Sequence, residues 1–356
     1  VAGAFTTIGG QPRAGLAVID TGTAAAQAWN AVPSSGSVKN FLLANGKLYA
    51  YGSFRLMNGE ARASIAAFDP VTGALLPDVL AGADRLASAQ LNSVAASADR
   101  LFLTGDFSYL ALPAGTFARL DTVSGAPSSP FADLTGAVHA IVSDGAGGWF
   151  VGGTVTSAHG IARTNLLHLN ADGSLAPWSP APDGDVRALA LCGDTLFVGG
   201  AFTLVNGQYR PGLAAFHTVT GALIATVPSA GGEVNALCRS GDRLFVGGTF
   251  PTLGGRTLNG LASLDWRTMK LSLEQPWSCG NTVGALAATS TDLYAGGAFT
   301  SLTPSASGFT RTDTTGASTD PTPLGIGGTG YALAGDGSGG WYVGGVFAAS
   351  GSTGTN

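Results

Sequence analysis

The segment from Val186 to Pro228, "VRALALCGDTLFVGGAFTLVNGQYRPGLAAFHTVTGALIATVP", sets four short apolar runs between polar breaks. The runs are "VRALAL", "LFVGGAF", "GLAAFH" and "ALIATV"; "CGDT", "TLVNGQYRP" and "TVTG" separate them. Runs this short, rich in β-branched, aromatic and small apolar residues and bounded by Gly, Asp, Asn or Pro, predict β-strands joined by tight turns and one longer loop.

The same pattern recurs along the chain. Aligned on the last residue of the second run, its copies fall at Phe5, Phe54, Phe107, Val155, Phe202, Phe250, Phe299 and Phe347, at spacings of 47 to 53 residues. A fixed period of about 48 residues with four antiparallel strands per unit predicts an all-β chain of 356 residues folded as one β-propeller domain, 1–356. The first, third and fourth runs occur seven times and the second run eight times. Seven blades are expected, with the chain ends closing the ring; eight is the alternative if the chain is cut from something longer. It opens at "VAGAF" and stops at "STGTN", both inside a repeat, and is expected to be part of a longer precursor.

Two small motifs read as structural. The glycine doublets of the second run, such as Gly199-Gly200 and Gly247-Gly248, carry no side chains and allow a neighbouring blade to approach closely. The third run usually ends in Asp, at Asp20, Asp69, Asp121, Asp265 and Asp313, often followed by Thr-Gly or Ser-Gly. There Asp can bond its own backbone two residues on while Gly takes a left-handed conformation.

Composition narrows the classes further. Glycine reaches 55 residues and charged residues are only 11% of the chain, so helix is not expected to dominate. The net charge is −5, with three lysines and no basic run, which argues against nucleic-acid binding. No apolar run approaches the roughly 20 residues of a membrane span. The three cysteines, Cys192, Cys238 and Cys279, are expected to be buried free thiols.

Units such as "GDTLFVGGAFTLVNGQYRPGLAAF" resemble the delta-sixty repeat of secreted bacterial proteins. They are also similar to kelch-type blades, in the glycine doublet and in a later aromatic, here Trp29, Trp178 and Trp277, and to repeats of fungal cortical marker proteins. The resemblance covers essentially the whole chain. It implies a secreted or cell-surface protein used for binding or scaffolding, and it supplies no shared catalytic residues.

Chemistry is sparse. Two GxGxxG matches, beginning at Gly325 and Gly335, do not open a helix after a strand, so no nucleotide site is expected. His139, His159, His168 and His217 occupy different positions of different repeats, and no zinc or catalytic spacing links them. The "DGAGGW" and "DGSGGW" stretches ending at Trp149 and Trp341 lack the ligand series of a calcium loop and read as turns. No catalytic residue, metal site or cofactor is assigned.

One position is more informative. The second residue of the first run is Lys39, Asn92, His139, Arg187, Asn235, Gly284 or Tyr331: polar in six of seven repeats and varied in chemistry. First strands line a propeller's central channel, so these side chains are expected to ring one mouth and to contact a ligand there. Arg13, Arg62, Arg163 and Arg210 share one offset in the longer loop and are expected to pair structurally with an acid or a carbonyl. The loop "SYLALPAG" breaks the repeat and offers Tyr109 and Leu110 as partner contacts. The function expected is binding or scaffolding of a partner protein or surface glycan through one face, with copies of the chain itself or flanking domains as further partners. The alternative is a lyase or glycosidase at the mouth, with His139, Arg187 and Tyr331 as acid, electrostatic and base groups.

Overall fold

A computed structural model describes residues 2–3, 7–8, 11–12, 29, 31–34, 37–62, 64–77, 90–96, 100–106, 117–121, 134–272, 281–288, 290, 292–298, 309–313, 326–335 and 341–349. Every regular element among them is a strand. The inner strands are Val38–Ala44, Gln90–Ala96, Val138–Ser143, Val186–Cys192, Val234–Ser240, Thr282–Ala288 and Ile326–Gly335. Each pairs antiparallel with the glycine-bearing second strand that follows it, for example Val186–Cys192 with Thr195–Gly200. Six of these pairs add a third strand, such as Leu213–His217. Consecutive inner strands lie against one another, and Ile326–Gly335 also lies against Val38–Ala44.

The core sits between blades. Phe150 and Leu166 of one blade pack with Val186, Val198 and Phe216 of the next, and Phe197 and Leu213 pack with Val234, Val246 and Leu264 of the blade after. Glycine makes this spacing work. A Cβ on Gly199 would come within 2.6 Å of Val234 Cγ1, and one on Gly247 within 2.6 Å of Val283 Cγ1, so the first glycine of these doublets seats the next blade's valine. The surplus copy of the motif, Ala2–Gly3, lies parallel to the strand Trp341–Ala349, with Ala2 opposite Gly344 and Gly3 opposite Gly345.

Two expectations are corrected. The fourth run forms a short edge: Leu75, Leu175 and Leu223 each make one isolated bridge to the third strand, and only Lys270–Leu271 forms a paired strand among the described residues. Pro228 ends the run soon after Leu223, and proline cannot donate to a ladder. The second-to-third connection is a miniature hairpin. Leu56–Met57 pairs with Glu60–Ala61, Ser157–Ala158 with Ile161–Ala162, Leu204–Val205 with Gln208–Tyr209, and Thr252–Leu253 with Arg256–Thr257. Asn206 and Gly207, at φ 51° and 73°, turn one of them, the two successive positive φ values that a type I′ turn requires.

The turn reading of the third-strand Asp holds at Asp69 and Asp265. Asp69 Oδ1 accepts from the Val71 and Thr72 amides, and Asp265 Oδ1 from those of Arg267 and Thr268. The glycine ending such a turn has a further role. Trp178 Nε1 donates to the Gly221 carbonyl at 3.0 Å, and Trp29 Nε1 donates likewise to Gly73. Each indole packs edge-on against the next blade's phenylalanine, Phe216 or Phe68. Trp29 and Trp178 therefore clasp adjacent blades; Trp277 lies outside the described residues.

Candidate functional site

The variable polar position has a backbone cause. In every inner strand the register shifts at that residue: between Val38 and Asn40, Leu91 and Ser93, Val138 and Ala140, Val186 and Ala188, Val234 and Ala236, Val283 and Ala285, and Gly330 and Ala332. Lys39, Asn92, His139, Arg187, Asn235, Gly284 and Tyr331 are thus the extra residues of seven β-bulges. A bulge re-aims the side chain it carries. The second glycine of the doublet accommodates it: a Cβ on Gly153, Gly200 or Gly248 would lie 2.0 Å from the carbonyl oxygen of Ala137, Asp185 or Glu233. That carbonyl accepts from the amide just past the doublet, Ala201 N to Asp185 O at 2.8 Å in one blade and Thr249 N to Glu233 O at 2.9 Å in the next.

Three bulge residues are joined across blades. Arg187 Nη1 donates to Glu233 Oε2 at 2.6 Å and to Asn235 Oδ1 at 3.0 Å, while its Nε donates to Asp185 Oδ2 at 3.1 Å. His139 Nε2 stands 3.4 Å from Asp185 Oδ1, within electrostatic reach but not aligned as a hydrogen bond. Desolvation alone would lower the Arg187 pKa; the bonds and charges of Asp185 and Glu233 outweigh it and raise it. Asp185 and Glu233 escape a reading of the bulge position because they stand two residues before it. An acid two residues upstream of a polar bulge is the signal that would have found them.

Lys39 is open to water, yet desolvation holds its ammonium below the ordinary lysine value. Asn92 and Tyr331 share the bulge position by backbone register. Tyr109 and Leu110 lie outside the described residues.

The groups named for a lyase or glycosidase are differently engaged. Arg187 is bonded to three oxygen acceptors, two of them carboxylates that offset its charge. Among the described residues no group of three or more His, Cys, Asp or Glu side chains could hold a metal. The other histidines stand apart: His168 Nε2 bonds Asp144 Oδ2 at 2.9 Å, His159 Nε2 lies 3.1 Å from the Gly173 carbonyl, and His217 Nε2 lies 3.6 Å from Asp194 Oδ2. Asp144 Oδ1 accepts from the Ala146 and Gly148 amides, so "DGAGGW" closes on itself as a turn.

The bulge residues lie at the same end of the blades as the miniature hairpins, because each second strand ends opposite the start of its inner strand. Asp183 Oδ1 accepts from Thr203 and Leu204 amides and fixes one hairpin. The loop arginines bind carbonyls of the fourth run: Arg62 to Leu76, Arg163 to Ala176 and Arg210 to Ala225. This is the structural pairing expected of them; Arg13 lies outside the described residues. Arg256, two residues nearer its anchor, reaches Ser272 in the same way. Above this braced layer Leu56, Ile161, Leu204 and Tyr209 are exposed. At the other end of the blades a cavity of about 500 Å³ lies beside the Trp178 clasp, lined by Phe150, His168, Leu196 and Phe216.

No protein-family model matches the sequence, and no curated protein matches it. Solved structures do match. The computationally designed Ika8 protein aligns at TM-score 0.53 and 14% identity, over 88% of this chain and 98% of that one. A chain of a mitotic checkpoint complex aligns at 0.57 and 14%, over 78% and 76%. The WD40 domain of Neurospora crassa Pan2 aligns at 0.52 and 12%, over 84% and 83%. At such identities the likeness shows the fold alone: a β-propeller.

Proposed function

We propose that the chain is a single seven-bladed propeller spanning 1–356, whose ring closes where Ile326–Gly335 meets Val38–Ala44, and that it scaffolds a partner protein through its mouth face. The observation that carries the reading is the build of that face. Bulges in the inner strands carry polar residues at the end of the blades where braced hairpins lift Leu56, Ile161, Leu204 and Tyr209 into water. Apolar side chains gathered on one face beside polar groups mark a protein contact surface. The neighbours support it by analogy, one being a chain of a checkpoint complex.

A secreted or cell-surface setting, which the resemblance to secreted repeats implies, belongs to the same proposal, and a surface glycan is the competing occupant. The test is quantitative capture from source-cell extract by the intact chain and by an Ile161→Ser/Leu204→Ser/Tyr209→Ser variant. Loss of three interface side chains should reduce a captured protein on the order of tenfold or more. Equal capture by both chains refutes the hairpin surface, and capture abolished by deglycosylating the extract replaces the protein partner with a glycan.

A further inference from the structure

The face opposite the mouth carries a second arrangement, built by the blade that starts at Val234. Its inner hairpin turns at Ser240 and Arg243, at the far end from the bulge. Trp266 follows the third strand Leu261–Asp265 and lies over the preceding blade's turn, where a Cβ on Gly193 would meet the indole at 3.2 Å. Two guanidiniums lie over that indole: the Cζ atoms of Arg239 and Arg267 each lie 5.0 Å from its ring centroid. The indole is fixed in turn by Nε1 donating to the Gly241 carbonyl at 3.1 Å.

Stacking uses the flat face of a guanidinium and leaves its N–H edge for in-plane acceptors, so a stacked arginine remains able to hold a carboxylate with two parallel bonds. Arg239 Nε donates to the Gly241 carbonyl, and neither of its terminal nitrogens has a hydrogen bond among the described residues. Arg267 Nη1 pairs with Asp242 Oδ1 at 2.8 Å, both side chains being 58% exposed. Its Nε and Nη2 also have no bond among the described residues. This sets the pair apart from Arg62, Arg163, Arg210 and Arg187, whose donors brace the fold. Arg243 and Lys270 flank opposite sides of Asp265, which caps its own turn. Arg239, Arg243, Arg267 and Lys270 against Asp242 and Asp265 leave two positive charges on this blade end, in a chain whose net charge is −5.

We propose that Arg239 and Arg267, held on Trp266, form a carboxylate-binding site for an acidic peptide segment. The Asp242–Arg267 pair shows the chemistry: a carboxylate from the chain's own turn already pairs with one terminal nitrogen, and an incoming one displaces it or binds beside it. A peptide fits better than a polyphosphate strand. The site is one blade wide and presents two forks beside an apolar ring, whereas nucleic acid gains its affinity from many phosphate contacts along a basic track. The proposal stands apart from the mouth-face reading, since it uses the opposite face and different residues.

The test is fluorescence anisotropy of a labelled hexaglutamate peptide titrated with the full chain at low salt. Arg239→Gln, Arg267→Gln and Trp266→Leu should each weaken binding about tenfold, the loss expected for one charge-assisted pair or its support. Arg239→Lys keeps the charge but loses the fork and should fall between. Arg55→Gln, on the mouth face, should bind as the intact chain does. Thermal melts establish that each variant is folded, and if Trp266→Leu is not, the two glutamine variants decide. No binding by the intact chain, or binding by both glutamine variants as tight as the intact chain's, overturns the proposal. Tighter binding of an equally charged oligothymidine or of anionic vesicles, lost in the same variants, overturns the choice of a peptide.

Discussion

Gly200→Ala tests whether the doublet's second glycine accommodates the bulge. The added Cβ would lie 2.0 Å from the Asp185 carbonyl oxygen and 3.0 Å from both the Asp185 carbonyl carbon and Phe202 Cδ1. A carbon–oxygen contact needs about 3.3 Å, so the strands must part by roughly 1.3 Å. Moving that carbonyl strains its 2.8 Å bond from the Ala201 amide, worth about 0.5–1.5 kcal/mol. Overpacking adds about 1–3 kcal/mol, so the expected loss is about 2–4 kcal/mol, measured as the shift of a urea unfolding midpoint at unchanged slope. Gly199→Ala is the contrast, because its obstacle is a side chain: Val234 Cγ1 at 2.6 Å. Adding Val234→Ala should recover stability lost in Gly199→Ala and none of that lost in Gly200→Ala. A loss below about 1 kcal/mol in Gly200→Ala, or its rescue by Val234→Ala, would refute the assignment of this glycine to the bulge.

Other consequences can be checked separately. Gly221→Ala, whose Cβ would meet Trp178 Cδ1 at 2.3 Å from a backbone at φ +69°, should cost more than Trp178→Phe, which removes one hydrogen bond worth about 1 kcal/mol; paired urea melts compare them. Hydrogen bonds from their turn amides and hydroxyls hold Asp69 and Asp265 below the usual carboxylate value, so the stability they add is present above a pH of about 3.9 and lost as pH falls through the lower folded values. Asp265→Asn should therefore flatten the acid limb of a Tm-against-pH curve and leave its shape above pH 6 unchanged, 6 being about two units clear of that value. Burial pushes the Cys192 thiol to about 11 and the Cys238 thiol to about 12, so alkylation at a pH of about 8 should leave both unlabelled in the native chain and label them after unfolding, as peptide mapping will show.

Much of the repeat was legible because its signals are local. Asp69 and Gly73 mark a turn from sequence alone, and the alternation in "VRALAL" marks a strand. Asn206-Gly207 carries an equally local hairpin signal, and the miniature hairpin there is readable in hindsight; the short apolar pair Leu204–Val205 hid it inside a polar loop. The fourth run pairs over fewer residues than its composition predicts. "ALIATV" has strand composition, but neighbouring carbonyls and loop arginines, with Arg210 bonded to Ala225, decide how far the edge extends. Cys192 matches the buried free thiol expected of it, while Cys238 is free but only partly buried, and Cys279 lies outside the described residues.

The sequence by itself determined the period, the strands within each unit and the polar position in each inner strand, because these follow from alternation and turn chemistry within a few residues. The tertiary structure alone decided what that position does. Arg187 meets Glu233 and Asn235, 46 and 48 residues further on, because a bulge turns its side chain and the next blade's inner strand lies beside its own. Sequence periodicity repeats the blade; the rotation between blades brings those side chains together.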